Sequence, residues 1–205
     1  MTFLALNLMD LDSLSTASGA PAGFAAMRDA AVMADEMGID KIVLLEHVLI
    51  SREAHANREG FPYPVDVSWY DPTVTLGSIA AVTRRARLSM NVMIAPLRPA
   101  PLLAKQLATL DALSGGRLDA AFGVGWQREE YDASERAFEG RFGTMDEQIA
   151  ACRALWAGGD AEFTGKKVSF DDAWSMPLPA QGSSLPIYLG LALTPRGVQR
   201  IVTLA

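Results

Sequence analysis

The sequence has a single cysteine, Cys152, in 205 residues. An internal disulfide is thereby excluded, and a reducing compartment is the expectation. Histidine is nearly as scarce: the two are His47 and His55, and no cysteine or carboxylate spacing around them makes a zinc site. No metal is expected. No apolar run approaches the ~20 residues that a membrane helix needs. Blocks of Lys and Arg are missing, and 24 acidic residues against 18 basic ones leave a formal net charge of −6, which argues against a nucleic-acid partner. The opening MTFLALNLMDLD lacks a positive segment and soon meets Asp10 and Asp12, so no signal peptide is expected. No short internal repeat is found. What remains is a cytoplasmic globular protein, half hydrophobic and one-fifth charged, long enough for one sizeable core.

What the chain does have is a rhythm of strands and helices. The stretch from Arg87 to Asp132 sets it. Leu88, Met90, Val92 and Ile94 alternate with Ser89, Asn91 and Met93, the period of a strand. Pro99 and Pro101 break the strand, and Leu103, Leu107 and Leu110 then recur at helical spacing until Ser114-Gly115-Gly116. A strand from Arg117 to Val124 alternates large Leu118, Phe122 and Val124 with small Ala121, Gly123 and Gly125. This is a β-α-β unit of a parallel sheet.

The remaining segments repeat the theme. Phe3 to Leu8 reads as a short strand. After a Ser/Gly/Ala/Pro stretch comes a helix with Phe24, Met27, Ala31, Ala34 and Met37 on one face, ended by Gly38. Lys41 to Val48 reads as a strand covered on both faces. Residues 48–70 form a long irregular segment, too long for a connector, in which His55 is expected to be solvated and Tyr63, Trp69 and Tyr70 either wall a pocket or pack the loop down. Asp71-Pro72 opens a helix with Leu76, Ile79, Ala80 and Thr83 on one side. Thr144 to Glu147 reads as a capping box before a helix with Met145, Ile149, Cys152 and Trp156 inward; Cys152 is expected in the core. Glu162-Phe163 and Lys167 to Phe170 suggest a small hairpin. A fifth core strand, Ile187 to Leu191, precedes a helix starting at Thr194-Pro195.

The segments RPAPLLAKQLATLDALSGGRL and GVGWQREEYD, taken together, resemble the luciferase-like monooxygenase family (the bacterial luciferase superfamily), and in particular its branch that depends on the deazaflavin coenzyme F420. The resemblance implies an α/β fold, a (β/α)8 TIM barrel that is incomplete here. Five parallel core strands are counted, whereas a complete barrel takes about 250 residues. Residues 1–205 are expected to form one such partial-barrel domain lacking the last three β-α units, as either a fragment of a longer chain or a shortened family member. The first and fifth strands then become unpaired edges, and a homo-oligomer is expected.

Barrel enzymes place their sites at the C-terminal ends of the strands. Glu46 and His47 close the second strand; imidazole exchanges a proton near neutral pH, although adjacent strand residues point to opposite faces. A histidine that merely caps the strand end is the other reading of these residues. LLEHV is similar to the family motif whose histidine lies near the reactive edge of the flavin, which implies His47 as general acid/base and Glu46 as its orienting neighbour. The peptide that matches Asn91-Val92 packs behind the ring in the deazaflavin branch, often with a non-prolyl cis bond, and this implies cofactor contacts for Asn91, Val92 and Ile94. Gly123, Val124 and Gly125 end the fourth strand, where glycine lets backbone approach a ligand or simply makes a tight turn. Glu129 matches a position that touches the cofactor's ribityl chain in relatives, although a Glu in REE by itself reads as a solvated helix face. Gly190, Leu191, Ala192 and Thr194 make the candidate phosphate site, since a loop opening a helix offers free N–H groups and the positive end of its dipole; Thr194 either simply caps the helix or donates its hydroxyl to phosphate, and Leu191 stands where relatives show glycine.

The function implied is a flavin- or deazaflavin-dependent oxidoreductase that passes hydride between reduced coenzyme F420 and a small organic substrate. Two alternatives stand beside it. One is an FMN-dependent two-component monooxygenase fed by a separate flavin reductase. The other is a flavin-binding or incomplete member without turnover.

Overall fold

The computed structural model describes residues 3–9 and 23–205; Asp10, Asp12 and the stretch before Gly23 lie outside them. The order of elements is β1 (Ala5–Asn7), α1 (Gly23–Met37), β2 (Lys41–Leu44), α2 (Arg52–Ala56), α3 (Pro72–Ala80), β3 (Arg87–Met90), β4 (Met93–Ile94) and α4 (Ala100–Ser114). There follow β5 (Leu118–Gly123), α5 (Arg128–Ala133), α6 (Arg141–Trp156), β6 (Ala161–Thr164), β7 (Ser169–Ala173), β8 (Ile187–Leu189) and α7 (Pro195–Leu204).

All core pairings are parallel: β1 with β2, β2 with β3, β5 with β3 and β4, and β8 with β5. Because β3 and β4 are two halves of one interrupted strand, the core has the five strands expected. The sheet does not close among the described residues: β1 pairs with β2 alone and β8 with β5 alone. The α/β architecture is that of an incomplete barrel. A separate antiparallel hairpin, β6–β7, lies outside the core sheet. No helix among the described residues is long and apolar enough to cross a membrane.

The interruption between β3 and β4 corrects the sequence reading. Ser89 stands beside Asp119, but Met93 stands beside Phe122. Asn91 and Val92 therefore occupy the space of one residue, which is a bulge, and the Asn91–Val92 peptide is cis. An extra residue reverses the side-chain alternation. Met93 and Ala95, rather than Val92 and Ile94, continue the core begun by Leu88 and Met90.

Each strand of the sheet has two distinct faces. On β2, Ile42 and Leu44 are fully buried, whereas Lys41 and Val43 are half-buried. The second face is polar at its lower end, where Asp119 of β5 meets Lys41 Nζ and Arg87 Nη2, each at 2.5 Å. The same end holds the LSGGRL motif. Arg117 donates to the carbonyls of Ala80, Thr83, Ala86 and Ser114 and to the Thr83 hydroxyl. Asp111 accepts from Leu118 N, Gln181 N and Gln181 Nε2. These bonds tie the ends of α3 and α4 to the start of β5, at the pole opposite the C-terminal strand ends.

The helices follow from the sequence in most respects. Asp71 caps α3 by accepting from Val74 N at 2.9 Å. Met145, Ile149, Cys152 and Trp156 of α6 are buried as expected, and Trp156 Nε1 donates to Ala104 O of α4. Burial pushes the Cys152 thiol up to about 12, so it stays protonated as a core side chain. On α1 the face is rotated from expectation: Asp35 is buried and Met37 is 76% exposed. The capping box is also displaced. Gly140 in a left-handed conformation starts α6 at Arg141, which leaves Thr144 inside the helix. Glu147 instead accepts from Lys167 N at 2.8 Å and fastens the hairpin.

Candidate functional site

In a parallel sheet the C-terminal ends of all strands lie at one pole, so the segments after β2, β4, β5 and β8 share a rim by topology alone. There, Leu45, Glu46, His47, Phe61, Trp69, Asn91, Val92, Ile94, Gly125 and Trp126 line a cavity of about 210 Å³. Six of the site residues singled out from sequence (Glu46, His47, Asn91, Val92, Ile94 and Gly125) thus meet in one place.

His47 lines this cavity, its side chain 8% exposed. Three aromatic rings face it edge-on: Trp69 at 4.6 Å between centroids, Trp126 at 5.7 Å and Phe61 at 5.8 Å. Arg58 covers the Trp126 ring at 4.1 Å, a cation–π contact. The segment that brings Phe61 and Trp69 contains α2, an element missed in the sequence, capped by the Ser51 hydroxyl accepting from Ala54 N. It is held down by Ser51 N to Gln127 Oε1 at 2.7 Å and by Gln127 Nε2 to Leu49 O at 2.8 Å. His55 is half-buried, not solvated, with Nε2 2.8 Å from Tyr63 O.

Glu46 does not orient His47. Its two oxygens are taken by Arg98, at 2.5 and 3.1 Å, and by Ile94 N at 2.6 Å. Burial drives the Glu46 carboxyl above its usual range, against the opposing pull of Arg98 and the Ile94 N–H. The carboxylate that reaches His47 belongs to Glu130. Its Oε1 lies 3.1 Å from His47 Nδ1 and accepts from Val48 N at 2.8 Å. The Nδ1 approach is within ion-pair range but off the axis of a hydrogen bond. His47 Nδ1, Trp69 Nε1 and Glu130 Oε2 are all buried without an aligned hydrogen-bond partner among the described residues.

Glu129, by contrast, is exposed and lines neither this cavity nor the next. Helical phase explains the difference. Gln127, Glu130 and Tyr131 are buried at spacings of three and four across the start of α5, and Tyr131 OH donates to Val124 O at 2.6 Å. Placing Tyr131 inward in the sequence identifies Glu130 as the inward carboxylate.

Val92 accounts for two of the predicted glycines. A Cβ on Gly190 would lie 2.5 Å from Val92 Cγ1, and one on Gly123 would collide with Val92 Cγ2. Both glycines are therefore needed to seat a protein side chain. Gly125 has φ +61°, a conformation that favours glycine, with Ile94 against it. Leu191, Ala192 and Thr194 line a second cavity of about 330 Å³ with Phe142, Arg196, Gly197 and Arg200. Thr194 caps α7 by accepting from Gly197 N at 3.1 Å. Arg200 is paired with Asp146 at 3.0 Å, whereas exposed Arg196, missed in the sequence, makes no ion pair among the described residues. A larger cavity of about 480 Å³, lined by Pro99, Arg136, Thr144, Gln148 and Lys167 among others, holds none of the predicted residues. No cluster of metal-ligating side chains occurs among the described residues.

These features sit in a recognisable setting. An uncharacterised protein of Mycobacterium tuberculosis, Rv0953c, is 35% identical over 179 residues, covering 84% of this chain and 62% of that protein. The monooxygenase RslO1 from Streptomyces bottropensis superposes with a TM-score of 0.75 at 25% identity, over 97% of this chain and 56% of its own. The coenzyme F420 dependent tetrahydromethanopterin reductase of Methanopyrus kandleri shares the fold, with a TM-score of 0.69 at 21% identity over 97% and 52% of the two chains. The chain thus spans between half and two thirds of the length of these relatives. The family described as luciferase-like monooxygenase matches residues 1–205 from end to end, and the chain belongs to it.

Proposed function

We propose that this chain supplies the part of an oxidoreductase that holds a flavin-type cofactor, with coenzyme F420 as the first reading. The observation that carries it is the meeting of His47, Asn91, Val92 and Gly125, from three different strand ends, in one cavity. Two features of the residues suit such a group. The Trp69 indole N–H is buried there without a partner among the described residues, which is costly unless a ligand satisfies it. Val92 also links the two cavities, since it packs on Gly190 and the next residues, Leu191 and Ala192, open the second. Val92 and Ile94 would back the flat ring, and Thr194 with the guanidinium and N–H of Arg196 would hold its phosphate.

When bound, the reduced ring supplies hydride, or activates dioxygen in the FMN case. His47 takes up or delivers the accompanying proton of a small organic substrate at its ring nitrogen. Phe61, Trp69 and Trp126 exclude water around it. The cavity is smaller than the ~300 Å³ lower bound of typical ligand pockets, so ring binding displaces the Phe61–Trp69 segment and changes tryptophan fluorescence. The FMN monooxygenase reading is second; RslO1 is a monooxygenase, and this reading calls for a reductase partner. In either case the setting is cytoplasmic. Titration with F420 and with FMN, each oxidised and reduced, followed by ring absorbance, tests both. Tighter binding of F420 is expected, FMN binding alone favours the second reading, and binding of neither overturns both.

A further inference from the structure

We infer that Glu130 is the positioning residue for His47: its carboxylate keeps a proton on Nδ1 and so leaves Nε2 as the nitrogen that exchanges protons in the cavity. The inference rests on His47 being the acid/base group, but its test does not.

Four observations carry it. The two side chains are 8% and 0% exposed, so water does not compete for Nδ1 or for the carboxylate. Oε1 is 3.1 Å from Nδ1, and Oε2 has no partner; a small turn about the last torsion of a glutamate, which is broad and two-fold, brings an oxygen onto the N–H axis. Glu46, the neighbour in sequence, has both oxygens committed to Arg98 and Ile94 N. Finally, Glu130 makes no ion pair with a lysine or arginine among the described residues and accepts only the Val48 N–H. A buried carboxylate in that position is expensive, and an Nδ1–H donor offsets the cost. Because one Oε1 serves both Val48 N–H and His47, the start of α5 fixes the chain just beyond β2 and the ring orientation together.

The two-histidine composition makes the test direct. Ring ¹⁵N–¹H correlation spectra of the 205-residue chain at alkaline pH, where imidazoles are neutral, report which nitrogen of each ring is protonated. His55 is the internal reference: Tyr63 O can only accept, which places the His55 proton on Nε2. The expected spectrum shows opposite tautomers, Nδ1–H for His47 and Nε2–H for His55. In Glu130→Gln the charge that favours a proton on Nδ1 is gone, and the amide N–H, in place of the unpartnered Oε2, can donate to a bare Nδ1. The His47 signal should then lose its Nδ1–H preference while His55 stays put. A wild-type His47 protonated on Nε2, or an unchanged His47 in folded Glu130→Gln, overturns the assignment. If Glu130→Gln does not fold, the wild-type spectrum decides alone. Failure of both cofactor titrations leaves this readout unaffected.

Discussion

His47 and Asp35 show what single side chains do at the two poles of the sheet. His47→Ala in the turnover-competent protein should cut the rate by about 10²–10⁴-fold, the worth of a general acid/base, while ring absorbance on titration is unchanged; undiminished turnover would remove His47 from the chemistry. Asp35 is a structural counterpart. Burial raises its carboxyl pKa, but the N–H groups of Ala86, Arg84 and Arg85 outweigh that and hold it below the usual range. A depressed pKa means stability that is present above the unfolded value of ~4 and lost as pH falls through the lower folded value. Asp35→Ala should therefore cost about 2–3 kcal/mol at neutral pH. Urea unfolding should show the gap from wild type narrowing below about pH 4; a gap that is independent of pH contradicts the ionised cap. Strand alternation would turn Glu46 and His47 to opposite faces, but β2 ends at Leu44 and both line the cavity. That Glu46 would meet Arg98, fifty-two positions on, and that Glu130 would meet His47, eighty-three positions on, are matters of tertiary register that local pattern does not carry.

The element that departs most from its sequence pattern is the strand through Asn91 and Val92. Simple alternation runs from Leu88 to Ile94 in the sequence, and nothing local marks the extra residue. The bulge is fixed by partners far along the chain, Gly123 and Gly190, whose missing side chains leave room for Val92. Gly123→Ala should destabilise the fold by about 1–3 kcal/mol through overpacking. Val92→Ala in the same chain should recover most of that loss, because the two groups compete for one volume; additive penalties in denaturant melts would show that the glycine serves something else. Other elements were plain from their ends. Asp71-Pro72 and Thr194-Pro195 start helices where expected. Thr144–Glu147 did not, because Gly140 takes up the left-handed start four residues earlier and the hairpin recruits Glu147.

At the scale of the molecule, the parallel core is open. β1 and β8 each have one neighbour among the described residues, and unpaired strand edges invite pairing with further backbone. The chain should self-associate, with a sedimentation coefficient that rises across micromolar concentrations; a monomer at every concentration argues that the edges are covered. The β-α rhythm and the count of core strands were legible because each buried strand and helix writes its own period. Closure was not, since it depends on chain beyond any local window.

Arg117 gathers its carbonyls at the pole remote from every cavity residue considered above. Leu113–Leu118, part of one of the two segments that carry the resemblance, thus braces the scaffold and supplies no lining residue to the cavity beside His47. A chain that kept Arg117 and its carbonyls but lost His47 would keep the brace and the resemblance without the proposed acid/base group.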